Sequence, residues 1–150
     1  MNSMTGVVTL AAIALAHPVS ASTDEVVAQF VESCIGTLPD FSKIAQSLAN
    51  TEFRNVSAKQ WIRDSDAAVL MIEDASDRWV CMVGLPGDQV APLTTSMLDA
   101  LADNKLGIHE EKQYQGRSLY LLQAKGGLTI LEVIPPVGAT TFLVANSRKE

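Results

Sequence analysis

Beyond Thr23 the apolar positions of the chain follow two periods, one of three to four residues and one of two, and the changes from one to the other divide it into elements. Ser22-Thr23-Asp24-Glu25 has the form of a capping box, and the apolar positions Val27, Phe30, Val31, Cys34 and Leu38 behind it recur with helical spacing. This predicts a helix with Cys34 on its buried stripe. Gly36 supplies a stop, and Pro39-Asp40 opens a second helix with Phe41, Ile44, Ala45 and Leu48 on one face. Asn50 to Arg54 reads as a connector, and Ser57 with Gln60 as the cap of a short helical turn carrying Trp61.

Ala67 to Glu73 and Arg78 to Gly84 are apolar, β-rich runs joined by the polar turn Asp74-Ala75-Ser76-Asp77, a predicted β-hairpin. Alternation along the second run puts Trp79, Cys81 and Val83 on one face. Leu85-Pro86-Gly87-Asp88 is a turn ending in an N-cap, and Val90, Leu93, Met97 and Leu101 form the buried face of a third helix that ends near Asn104. Strand-like runs follow at Gly107 to Tyr114, Arg117 to Ala124, Leu128 to Ile134 and Thr140 to Ala145, separated by short glycine- or proline-containing breaks suited to a meander.

Helices and strands segregate, and the short turns leave no room for parallel crossovers. The expected fold is α+β: an antiparallel sheet of five to six strands, helices packed mainly on one face, in the order ααββαβββ(β). The runs Leu119 to Leu122 and Phe142 to Ala145 are apolar on both faces. The second face therefore calls for cover within the chain, the reading preferred here, or for a partner or second copy.

Residues 1–23 contain no Asp, Glu, Lys or Arg, and the apolar run Val7 to Ala16 is followed by His17-Pro18 and by small residues at Val19 and Ala21. This is the layout of a signal peptide over residues 1–21, cleaved after Ala21, although its first residues lack the usual basic side chain. The run is shorter than the ~20 residues of a membrane-crossing helix. Residues 22–150 then form a single domain, with a net charge of −6 carried by 17 acids against 11 bases. No run of Lys or Arg is available to neutralise successive phosphates, so nucleic acid and anionic membrane surfaces are poor partners and cationic ones are favoured.

Cys34 and Cys81 are the only cysteines. In an exported chain the economical reading is a disulfide; two buried free thiols are the alternative, and a redox-active pair would need a C-x-x-C turn that this spacing lacks. The stretch Phe30-Val31-Glu32-Ser33-Cys34, the corner Leu38-Pro39-Asp40-Phe41 and the strand cysteine Cys81 together resemble small exported bacterial proteins to which no activity is assigned. The resemblance covers about the first half of the chain, and it implies a periplasmic location and the pairing of these two cysteines.

No catalytic constellation stands out. Without the signal, His109 is the only histidine, and His109-Glu110-Glu111 lacks the repeated ligands of a zinc site. Asp64, Asp66, Glu73, Asp74 and Asp77 cluster around the first predicted strand as turn residues do. The glycine turns lack phosphate-loop spacing, so neither metal nor cofactor is expected. Asn55-Val56-Ser57 fits a glycosylation acceptor, meaningful only in a eukaryotic secretory pathway. Trp61 and Trp79 are candidate binding residues if exposed together. The sequence thus points to a non-catalytic periplasmic or secreted binding or accessory protein, acidic and disulfide-stabilised, with a cationic protein partner or a second copy of itself as its associate. A small periplasmic hydrolase using His109 as base is the alternative.

Overall fold

The structure is a computed structural model that describes residues 19–38, 41–124 and 127–149. The predicted signal peptide lies outside the described residues except for Val19-Ser20-Ala21, which are helical, and the Pro39-Asp40 corner lies outside them too. Helix α1 (Val19–Phe30) passes directly into a π-helical turn (Val31–Ile35), closed by a bond from the Gly36 N–H to the Val31 carbonyl at 2.9 Å. Ser22 to Glu25 therefore lie inside α1 and not at its start. A 3₁₀ turn (Phe41–Lys43) leads into the short α2 (Ile44–Leu48), which buries Ile44 and Leu48 and leaves Ala45 exposed.

Eight strands follow, with one long helix among them: β1 (Phe53–Ser57), β2 (Gln60–Arg63), β3 (Ala68–Asp74), β4 (Arg78–Pro86), α3 (Val90–Asp103), β5 (Ile108–Tyr114), β6 (Arg117–Ala124), β7 (Gly127–Val137) and β8 (Thr140–Arg148). They form one antiparallel sheet in the order β1-β2-β3-β4-β8-β7-β6-β5. The expected five-to-six-strand α+β arrangement with the order ααββαβββ(β) is thereby corrected: the fold is mostly one eight-stranded sheet, with three small helices. The two strands that make the difference are β1 and β2, where a connector and a helical turn were expected. Their pattern misleads because β1 is an edge strand with four of its five residues exposed, so it shows no apolar alternation. Ser57 and Gln60, which imitate a cap, instead face each other across the β1–β2 turn.

The sheet is built as two like halves, each a helical segment followed by a four-stranded meander. They meet where β4 pairs with β8 over the whole of both strands, from Arg78 opposite Arg148 to Pro86 opposite Thr140. Tight turns hold the meanders in register. Gln115 and Gly116, between β5 and β6, both take positive φ (49° and 75°), the signature of a type I′ hairpin turn.

Alternation gives the sheet two distinct faces. Cys81, Val83 and Leu85 of β4, Leu143 and Ala145 of β8, Leu131 and Val133 of β7, and Leu70 of β3 join one buried cluster with Phe30 of α1, Leu48 of α2 and Met97 of α3, so all three helices pack on this face. The opposite face carries Ile62, Met71, Met82, Phe142, Ile130 and Leu121, each half-buried, and no described helix lies over it. The internal cover preferred on sequence grounds is thus absent among the described residues. At its centre Gly84 faces Phe142; a Cβ there would come within 2.7 Å of the ring, so the glycine is what lets Phe142 lie against the sheet.

A disulfide joins Cys34 in the π-helical turn to Cys81 in β4, with Cα atoms 5.5 Å apart, and both residues are wholly buried. It closes a loop across 47 positions of sequence, worth about 4 kcal/mol if the constraint acts on the unfolded chain. Replacing both cysteines with alanine is expected to lower the unfolding free energy by about that amount, read as a drop in the urea midpoint. An unchanged midpoint would show that packing alone holds α1 in place.

Candidate functional site

Helices α1 and α3 lie side by side on the covered face of the sheet, joined by a hydrogen bond from the buried Ser96 hydroxyl of α3 to the Asp24 carboxylate of α1. Between them runs an open groove of about 1100 Å³. Its apolar lining comes from Ala28 in α1, Val31 and Ile35 in the π-helical turn, Ala100 in α3, Leu106 beyond it and Ala124 at the end of β6. Its polar lining is dominated by four carboxylates: Asp24 and Glu32 from the first helical segment, Asp99 and Asp103 from α3.

Among the described residues, no Lys, Arg or His lines the groove and none of these four carboxylates takes part in an ion pair. Elsewhere six of the bases are answered by acids. Arg54 pairs with Asp64, Arg78 with Asp77, Lys112 with Glu110, Arg117 with Glu132, and Lys149 with Asp74. Arg63 is the most enclosed of them, its side chain only 7% exposed; it meets Asp66 through two hydrogen bonds (2.6 and 3.0 Å) and Glu25 of α1 at 3.1 Å. The bonds to Asp66 raise its pKa above the ordinary value, so it stays charged. At the β1 edge, the hydrogen bonds from Arg54 hold the Asp64 carboxyl below its usual 3.8. Whatever that exposed pair contributes is present above the ordinary carboxylate range and is lost as the pH falls through the lowered midpoint.

The residues singled out from the sequence are placed as follows. Cys34 and Cys81 are joined. Trp61 of β2 is 4% exposed within the core. Trp79 of β4 is half-buried, with the Lys149 ammonium 4.0 Å from its ring centroid. Both point to the covered side, but the cross-strand register sets them far apart: Trp61 aligns with Leu70 and Val83, whereas Trp79 aligns with Asp74. His109 is exposed on β5, beside a register shift, and touches none of the acids around β3. Of those acids, Asp64, Asp66, Asp74 and Asp77 are occupied by the ion pairs above. The Asn55 amide is engaged as well, donating to the carbonyls of Ser57 (2.6 Å) and Gln60 (3.3 Å).

Sequence reading missed the groove acids, although two carried a signal. Asp99 and Asp103 stand four apart toward the C-terminal end of α3, whose last turn has no basic residue. Like charges at that spacing repel, and the helix dipole disfavours anions at that end. Comparison with protein families, with curated proteins and with solved structures finds no match to the chain.

Breaking the Arg63 hub removes the guanidinium from the Asp66 and Glu25 carboxylates. Arg63→Ala is expected to cost about 3 kcal/mol in urea unfolding, as for an enclosed charge pair that loses one member. A loss below about 0.5 kcal/mol would mark it as an ordinary surface pair.

Proposed function

We propose that this chain is an exported, non-catalytic binding or accessory protein of the periplasm or another oxidising space, and that its acidic surface engages a cationic partner. The disulfide supports a site of action outside reducing compartments, where such bonds persist. No described helix is long and apolar enough to cross a membrane, which agrees with a chain released after export. The observation that carries the reading is the groove between α1 and α3: it offers apolar surface together with four carboxylates that form no ion pair among the described residues.

Physically, unpaired carboxylates beside apolar surface attract a cation at long range and hold it at short range once water is displaced. The attraction is salt-dependent, since exposed charges are screened over about 10 Å at 0.1 M salt. A pull-down from periplasmic extract at low salt is therefore expected to recover basic proteins that elute as salt is raised. Recovery of none, together with no salt-sensitive association of the purified protein, contradicts the reading.

A second reading places another copy of the chain on the uncovered sheet face, where Met71, Met82, Val144 and Leu119 lie along one cross-strand row interrupted only by Glu132, itself paired with Arg117. It predicts twice the monomer mass in light scattering, reduced to one by Met82→Lys. A monomer at high concentration removes it.

A further inference from the structure

We propose that the groove between α1 and α3 receives a basic amphipathic helix from a partner protein, laid along the two helices as a third. This rests on the binding role proposed above and names the chemistry of its partner.

The charge is distributed along the groove. No group of three or more His, Cys, Asp or Glu among the described residues converges closely enough to hold a metal ion, so the groove acids are spread out. Asp24 and Glu32 stand eight positions apart, about 12 Å along a helix at 1.5 Å per residue, and Asp99 and Asp103 are one turn apart on the facing helix. A single small cation answers one of these positions, whereas a segment with cations spaced along it answers several.

The lining suits a helix in shape and nature. Two neighbouring helices present ridges and grooves into which a third helix packs at 8–10 Å, and helix-in-groove recognition needs apolar anchors at intervals of three and four residues. On one wall Ala28 is exposed, with the edges of the core residues Val31 (6% exposed) and Ile35 (4%) below it, and the half-buried Ala100 and Leu106 supply apolar surface on the other. The methyl groups of Ala28 and Ala100 and the bare backbone at Gly36 leave room for the incoming helix.

The groove acids also carry an electrostatic cost. Asp99 and Asp103 repel each other and sit toward the negative end of α3's dipole; the last turn holds no base, and Lys105 just beyond it forms no ion pair with either among the described residues. Arg and Lys side chains on the docked helix would remove both. Places where local electrostatics oppose the fold without compensation inside the chain are where a ligand is expected to supply it.

The test uses the disulfide-bonded protein and two synthetic peptides of about fourteen residues, roughly four helical turns. Both contain only Leu and Lys in the same numbers. One has Leu at helical spacing and the other has Leu and Lys strictly alternating. In an amide NMR titration at low salt, the helical peptide is expected to shift the signals of Ala28, Val31, Ile35, Ala100 and Leu106 and to bind more tightly than the alternating one. Asp99→Lys/Asp103→Lys should weaken it by about tenfold, and Asp99→Asn/Asp103→Asn should weaken it less but in the same direction, which guards against a folding defect in the first variant. Glu73→Lys/Glu111→Lys, the same change of net charge at exposed positions away from the groove, should leave affinity within about twofold.

Shifts elsewhere on the surface, equal binding of the two peptides, or equal weakening by the control variant each overturn the groove proposal while leaving salt-dependent cation binding intact. Absence of salt-sensitive binding by either peptide overturns both.

Discussion

One covalent bond between a helical turn and a central strand sets the position of everything on the covered side of the sheet. Cys81 sits in β4, half of the β4–β8 seam at which the two meanders meet, and Cys34 sits in the turn that extends α1. The π-helical geometry there is closed by the Gly36 N–H on the Val31 carbonyl, and it buries Val31, Ser33, Cys34 and Ile35 together. A regular helix buries a stripe; this widened turn buries four of five residues and so brings sulfur, apolar side chains and a serine hydroxyl to the core side at once. Ser33 then meets Ser47 of α2 at 2.7 Å, and the second helix is positioned from the same turn. With α1 fixed at one end by the disulfide, Glu25 reaches Arg63 and Asp24 reaches Ser96 of α3 near the other. The groove is the gap left between two helices held in this way.

The β4–β8 seam also explains why the molecule has one dry face and one half-covered face. Each meander brings its own helix, and both helices fall on the side to which Cys81 points. The uncovered side keeps its apolar side chains packed against one another, as Val144 (6% exposed) and the Gly84–Phe142 contact show. Four strands pairing on each side of the seam leave β1 and β5 as free edges. Both are dressed as edges usually are: β1 is short and polar, and β5 carries Glu110, Glu111 and Lys112, with a register shift at its start.

Much of this is written in local sequence. The stripe Val27, Phe30, Val31, Cys34, Leu38 is buried throughout, as are Leu93, Met97 and Leu101 of α3, because their spacing reflects a single face against a single core. Strands β3, β4 and β6 to β8 were readable as apolar runs between polar or glycine-containing turns, since each carries a buried row. β1 has no such row, being an exposed edge strand; β2 does bury Trp61 and Arg63 in alternation, but over only four residues, and the Ser57–Gln60 pair before it suits a cap and a hairpin turn equally. The groove was the least legible feature of all. Its acids come from α1 and α3, more than sixty residues apart, and only the tertiary placement of the helices gathers them. What local sequence did carry was the conflict at Asp99 and Asp103, visible as two acids four apart in a helix whose last turn has no base.

The account stands or falls on the Cys34–Cys81 bond in the protein as the cell makes it. The direct measurement is peptide mass spectrometry on protein isolated from its native host and alkylated under denaturing, non-reducing conditions. The predicted result is a cross-linked peptide pair containing Cys34 and Cys81, with no alkylated cysteine until reductant is added. Recovery of both cysteines alkylated before reduction would contradict it, and with it the placement of α1 and an oxidising site of action.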